Sequence, residues 1–403
     1  MKQSKGITLI ALVITIIVLL ILATISIQAL TNTGILKKAQ DTKNAMENAQ
    51  KEESRILTNY LVEMNSITFI NVDKNKTNPE AAMPKDAIVI EGDANKGIVI
   101  KDSKENEWVW VEVPKDITAE KKTDNDIEKA LHNYAIDYRE GSSGQEKNWI
   151  DEWYNGCGIE EYKYNTIKSK MLQSIKINGG FWISRYEVGD ETETTTNTTR
   201  SDKSGINGTP VSKANQIPYT FVTCSQAQKL ATKMSTDDNK TSSLLFGIQW
   251  DLTCKFLQEK GGLSVSQLKS GDNEGSTNWG NYWNSKLKLY RGKYTIVPWN
   301  TNNKWVSYTI NTENYVNDSQ TLNNEKQLLT TGASEETNKM NIYDFAGNVW
   351  EWTLEHATSD TSKPCAIRGG CFNNYGYHDP ASMRHLYTID QSGYFAGFRS
   401  VLY

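Results

Sequence analysis

Arginine is scarce in this 403-residue chain, at 8 of 44 basic side chains against 36 lysines. Bidentate phosphate recognition therefore has few guanidinium forks to work with. A net charge of −4 supplies no clustered basic face either, and together these exclude nucleic acid as a partner. Cysteine is also thin. Five are present, none in a CxxC pair, so the spacing writes neither a disulfide scaffold nor a cysteine zinc site. The four histidines, His132, His356, His378 and His385, include no i, i+4 pair with a third ligand close by, as a two-histidine site on one helix needs. Internal repeats, a nucleotide-binding glycine fingerprint and a P-loop are all missing. What remains is length enough for two or three domains and a sizeable core. With 38% hydrophobic and 23% charged residues, the composition is neither collagen-like nor that of a disordered polymer.

Charge is also missing locally, at both ends. No charged residue occurs from Ile7 to Leu36, and Ile7 to Ile27 is almost wholly apolar. Twenty-one helical residues span roughly 30 Å, the thickness of a hydrocarbon core. A cleaved secretory signal, a plain anchor and a more specific device all begin this way. A cleaved signal puts its small residue after the apolar run, whereas here Gly6 precedes it. After the span, Ala39, Ala45, Met46, Ala49, Ile56 and Tyr60 recur at helical spacing among Lys, Glu and Asp, which predicts a solvated stalk over Ile35–Met64. Pro79 and Pro84 then break the chain.

Downstream, Ala87–Ile90 and Gly97–Ile100 flank Gly92-Asp93-Ala94-Asn95, a hairpin signal. Trp108–Pro114 and Phe181–Val188 read as further strands. A Thr/Asn/Ser-rich loop fills Gly189–Pro210, and helical spacing returns at Ser225–Met234 and Trp250–Leu257. Short strands, few helices and long polar loops predict an α+β head with modest regular structure.

Two resemblances sharpen this. Lys5-Gly6-Ile7-Thr8-Leu9-Ile10 resembles the cleavage motif of type IV prepilins and pseudopilins, which implies a prepilin peptidase cutting after Gly6 and pilin-like subunits as neighbours. The chain departs from that family at Ala11, where a Glu usually registers subunits in a filament. In the head, Trp108–Pro114, Phe181–Val188, Leu244–Phe256 and Thr277–Tyr282 precede Asn341-Ile342-Tyr343-Asp344-Phe345-Ala346-Gly347-Asn348-Val349-Trp350-Glu351-Trp352-Thr353. Arg368-Gly369-Gly370 and Gly397-Phe398-Arg399 follow in order. Together they resemble the formylglycine-generating sulfatase-modifying family, whose fold is a variant of the C-type lectin fold. The implied organisation is a leader at 1–6, a transmembrane helix at 7–28, a helical stalk at 29–66, a linker with short strands at 67–105 and the head at 106–403.

The family's oxidising members carry two cysteines shortly after their RGG. The matching positions here are Asn374 and Asp379, so the thiolate that formylglycine formation needs is absent. Cys365 and Cys371, the nearby thiols, pair or serve as small core residues. The resemblance also implies a structural Ca²⁺ held by Asp344 and Glu351 through carboxylates and by Gly347 and Val349 through carbonyls, a hard oxygen set. On a strand, Trp350 and Trp352 would face one side and Glu351 the other.

The second local absence lies at the C-terminus. Gly369–Tyr403 has no Lys and no Glu in 35 residues. Asn, Tyr, His, Asp, Ser and Gly take their place, a palette suited to contact surfaces. Asn373, Asn374, Tyr375, Tyr377, His378, Asp379, His385, Tyr387, Asp390 and Tyr394 are the candidate ligand contacts, with a protein or glycan as ligand. Most residue types in this stretch are reachable by changing the adenines of AAC or AAT codons, and Lys and Glu are not. The segment 369–403 therefore resembles the variable end of proteins diversified by retroelements. The expectation is a single-pass, membrane-anchored, surface-displayed binding protein. A metal-dependent extracytoplasmic oxidoreductase and a minor pilin or pseudopilin are the alternatives.

Overall fold

The two apolar runs around Gly92–Asn95 pair as an antiparallel hairpin, β1 (Ile88–Glu91) with β2 (Val99–Lys101). The hairpin continues into β3 (Glu107–Glu112), whose Trp108–Val111 core is wholly buried. The structure is a computed structural model that describes residues 15–22, 38, 41–46, 49, 76–139, 148–193, 206–269, 275–296, 305–307 and 326–403. The chain divides into two units, Met1–Glu63 and Met64–Tyr403. In the first, residues 15–22, 38, 41–46 and 49 are helical and exposed. The rest of the expected transmembrane helix at 7–28 and stalk at 29–66 lies outside the described residues, as does the leader. Among the described residues no helix is long and apolar enough to cross a membrane, so the structure does not support that expectation.

The second unit is mixed α/β. After β3 come α1 (Asp124–Tyr134), β4 (Trp149–Ile150), α2 (Glu161–Asn178), β5 (Gly180–Ser184), α3 (Cys224–Ala231), β6 (Ser242–Leu244) and α4 (Gly247–Glu259). The C-terminal part adds β7 (Trp350–Ala357), β8 (Cys365–Arg368), β9 (Arg384–Tyr387), β10 (Ala396–Phe398) and β11 (Ser400–Leu402). One sheet runs β1-β2-β3-β5-β11-β6, and a second runs β9-β8-β7-β10 with β4 added to β7. Strands β1 and β2 thus belong to the head's own sheet. The stretch expected as a linker with short strands at 67–105 thus contributes two strands to the head's sheet, β2 completing the ladder of β3. Helix α2, the longest described, lacks a strong apolar stripe in sequence; only Tyr164, Met171, Leu172 and Ile175 are buried. The loop expected at Gly189–Pro210 is tied at both ends, Gly189–Asp190 pairing with Pro210–Val211.

Strand alternation in β7 decides where its charges go. Trp350 and Trp352 turn to one side, beneath His385 and Tyr387 of β9 (ring centroids 6.0 and 6.2 Å). Glu351 turns to the other and meets Arg399. Further along β7, Glu355 joins a buried tetrad. Arg368 ends β8 and contacts Asp251 of α4 at 2.6 Å and Glu355 at 3.1 Å. Arg384 opens β9 and contacts the same two carboxylates at 2.6 and 2.9 Å. Two guanidiniums against two carboxylates leave no unbalanced charge. Burial opposes ionisation of Glu355, yet Arg384 and Arg368 hold its carboxyl below the usual carboxylate range. Removing one member strands a buried charge, a loss on the order of 3–5 kcal/mol. Arg384→Ala is therefore expected to lower unfolding free energy by about that amount in a urea titration; a loss under 1 kcal/mol would refute the tetrad's role.

Candidate functional site

The RGG turn sets where the C-terminal segment emerges. Gly369 and Gly370 both lie in the left-handed region (φ 93° and 77°), and a Cβ on Gly370 would fall 2.2 Å from the Asp379 carbonyl oxygen. Only glycine lets the chain fold back this closely. The 371–379 loop that follows is fastened mainly through its backbone. The Trp283 amide donates to the Asn374 carbonyl (2.9 Å), the Ser276 amide to the Gly376 carbonyl (2.9 Å) and the Phe372 amide to the Asn348 carbonyl (3.0 Å). The Asn284 side chain accepts from the Gly376 amide (3.0 Å). Further on, the Phe221 amide donates to the Gly393 carbonyl and the Trp350 amide to that of Phe395.

This fastening leaves the expected contact side chains at the surface. Tyr375 (39% exposed), Tyr377 (37%), His378, His385 and Asp390 are exposed, and Asn373, Asn374, Asp379, Tyr387 and Tyr394 are half-buried. None of the ten is core. Tyr375 packs on Tyr377 (5.4 Å) and Tyr377 on His378 (6.2 Å). A second run joins His385 to Tyr387 (5.3 Å), and Phe395 links Tyr387 to Tyr394. Asp379 connects the two runs. Burial raises its carboxyl, and the nearby His378 and His385 pull it back down.

Two of the ten have local duties. Asn374 Oδ1 accepts from the Cys371 amide (3.1 Å) and thiol (3.1 Å), closing the turn. Asp390 accepts from the Thr388 hydroxyl (2.5 Å). The structure also adds residues that the sequence reading missed. Trp283 packs on Tyr375 (5.1 Å), and Lys326 lies over the Trp283 ring (4.2 Å). Both come from outside 369–403; Trp283 stands immediately after the Thr277–Tyr282 motif, which was the available signal.

The four expected calcium ligands are brought into one loop and strand, where both expected carboxylates are already engaged by protein donors. Asp344 accepts from the Gly332 amide (2.6 Å) and the Thr337 hydroxyl (2.9 Å). Both oxygens of Glu351 accept from the Arg399 guanidinium. A permanent cation thus occupies the Glu351 carboxylate edge. The Val349 amide is held by Glu187 (3.0 Å) and the Gly347 amide donates to the Gly369 carbonyl. A second group, Glu128, His132 and Asp151, brings its ligand atoms within 4.8 Å of one another. Here Asp151 accepts from the amides of Gly247 and Ile248 at the start of α4. The Lys168 ammonium sits 2.9 Å from Glu128, and the Arg139 guanidinium lies against His132. Side-chain cations already fill that place.

Thiol chemistry is equally constrained. All five cysteines are buried and free, which answers the open question of Cys365 and Cys371 in favour of small core residues. Burial pushes the Cys371 thiol up to about 12, far from a reactive thiolate.

Two sheets with helices around them and a long irregular C-terminal surface make up the head. The chain belongs to the sulfatase-modifying factor family: a family model for the "Sulfatase-modifying factor enzyme 1-like domain" matches residues 157–403, more than half of the chain. Among solved structures it is similar to CarF, at 16% identity over 55% of this chain and 85% of that one, with a TM-score of 0.32. It is also similar to Treponema denticola variable protein 1, at 15% identity over 55% and 84%, with a TM-score of 0.30. No curated protein matches the chain.

The Glu351 pocket generates a pH prediction. Three buried carboxylates, Glu187, Asp344 and Glu351, face one guanidinium. Burial pushes Glu351 up to about 7, against the pull of Arg399. Burial, then the charges of Asp344 and Glu351, raise Glu187 as well. Between the ordinary value of 4.5 and about 7 the folded state binds the extra proton, so stability falls as pH rises through that window and levels off above it. Measured against Glu351→Gln, wild-type unfolding free energy is expected to drop by roughly 1–3 kcal/mol from pH 5 to pH 8. Chelator is expected to leave the midpoint unchanged; a chelator-induced fall would restore the calcium site.

Proposed function

We propose that this protein is a surface-displayed ligand-binding protein whose head presents the polar-aromatic face between Asn373 and Phe395. The observation that carries the reading is the separation of duties within that face. Its backbone is fastened mainly by main-chain bonds to the 276–284 and 348–350 stretches, while none of the ten candidate side chains is buried. Tyrosine and histidine there offer broad amphipathic area at low entropy cost, and Asn and Asp offer adaptable hydrogen bonds. Side chains that do not hold the backbone can change without disturbing the fold.

This arrangement, together with the missing Lys and Glu, supports the further reading that 369–403 is the diversified target of a retroelement. The apolar run from Ile7 to Ile27 anchors the chain in a membrane, with the head outside the cytoplasm. An oxidising activity is disfavoured by Asn374 and Asp379, which stand where the oxidising members carry their thiols.

Sequencing the locus from sibling isolates tests the diversified reading. Substitutions are expected at adenine-bearing codons of Asn373–Tyr394, beside a near-copy template and a reverse transcriptase. An invariant C-terminus without a template would sink it. For the anchor, N-terminal sequencing of membrane-extracted protein is expected to begin at Ile7; an intact Met1 counts against prepilin-type processing.

A further inference from the structure

Three aromatic rings and one ammonium line up at the edge of the contact face. Trp283 packs on Tyr375 with ring centroids 5.1 Å apart and planes tilted by 36°, and Tyr375 packs on Tyr377 at 5.4 Å and 37°. His378 closes the run edge-on at 6.2 Å. At the other end the Lys326 ammonium lies 4.2 Å from the centre of the Trp283 ring. The two tyrosines are exposed and Trp283 is half-buried, so every ring of the run meets solvent.

The backbone holds this run in place before anything binds. Gly376, between the two tyrosines, is pressed so closely on the 275–277 stretch that an added Cβ would fall 2.6 Å from the Thr277 amide nitrogen. Asn284 spans that contact, accepting from the Gly376 amide (3.0 Å) and donating to the Thr277 hydroxyl (3.2 Å). The Tyr375 carbonyl accepts from the amides of His378 and Asp379, both at 2.9 Å. With the chain tied down on both sides of each tyrosine, the rings have little freedom left to lose on binding.

Three rings in file offer far less than the roughly 800 Å² per side that a stable protein interface takes up. They do match the flat, C–H-lined faces of successive sugar rings, which bury apolar area on an aromatic face while their hydroxyls stay in water. Charge then selects among sugars. From Cys371 to Tyr377 no side chain carries a charge, and among the described residues no carboxylate pairs with Lys326. Its ammonium is left to meet an anion. We propose that Trp283, Tyr375, Tyr377 and Lys326 form the binding site for an acidic glycan, its sugar rings lying on the aromatic run and a carboxylate meeting the Lys326 ammonium. This rests on the reading of Asn373–Phe395 as a ligand face and names the class of ligand. Trp283 and Lys326 lie outside 369–403, so the site keeps a constant half however that segment varies.

The test titrates the detergent-purified full chain with two matched probe pairs: oligogalacturonate against its methyl ester, and a hyaluronan oligosaccharide against its carboxyl-reduced form. The expected result is binding of at least one acidic member, roughly fivefold tighter than its neutral counterpart at low salt, with the preference fading as salt is raised. Lys326→Gln is expected to erase the preference, and Tyr377→Ala to weaken both forms roughly tenfold. Neither side chain is buried, and an unchanged melting temperature checks that both variants are folded. Equal binding of acidic and neutral forms, or no binding by either pair, would overturn the proposal. Tyr387→Ala and Tyr394→Ala separate it from the reading it rests on. Binding lost through these two and untouched by Tyr377→Ala and Lys326→Gln overturns the glycan site and keeps the face; binding untouched by all four overturns both.

Discussion

Two buried guanidiniums and two stacked rings organise the head. Arg368 lies over Trp250 (5.5 Å), Trp250 stacks on Phe345 (4.3 Å, 22°), and Arg399 lies over Phe345 (5.8 Å). The outer sides are closed by carboxylates: Asp251 and Glu355 on Arg368, Glu351 on Arg399. Arg368 and Arg399 have essentially no solvent exposure, so each needs its full set of partners in place. This requirement fixes α4, the 344–348 turn, β7, β8 and the junction of β10 and β11 relative to one another. The motifs that look separate along the chain, around Trp250, Phe345, Glu351, Arg368 and Arg399, are parts of a single charge-balanced stack.

From that constraint the contact face follows. Once Arg368 is pinned, Gly369 and Gly370 turn the chain outward, and the next nine residues must run along the surface. Their backbone polar groups find partners on the 276–284 and 348 segments, so the loop needs little from its own side chains. Stability resides in the stack, and the loop leaves its side chains at the surface. The two duties share a backbone but few atoms, Asn374 being the clear exception.

How much of this was legible in sequence follows the same division. The strands around Trp108, Phe181 and Trp350 were readable because apolar and β-branched runs bounded by turn residues carry a direct signal. The surface placement of the ten candidate residues was readable because a segment without Lys or Glu is compositionally odd. Helix α2 was not, since four buried side chains in eighteen residues leave a polar-looking segment whose helicity rests on tertiary packing. Trp283 and Lys326 were not, because their role depends on a loop from elsewhere lying beside Tyr375. The surroundings of the expected calcium set were not legible for a related reason: motif spacing places Asp344 and Glu351 together but says nothing of Thr337, Gly332 or Arg399, which hydrogen-bond to their oxygens.

The segment that matches the position of the oxidising cysteines in the family is here a surface stretch of polar and aromatic side chains, and the two arrangements make different demands. A catalytic thiol pair demands fixed side chains at two positions of the loop and a substrate groove shaped to them. At those positions this chain has Asn374, whose side-chain oxygen closes the turn on Cys371, and the half-buried Asp379. Neither can return to a thiol without giving up what it now does for the surface. The cysteine that does remain beside RGG, Cys371, is buried and held in its neutral form.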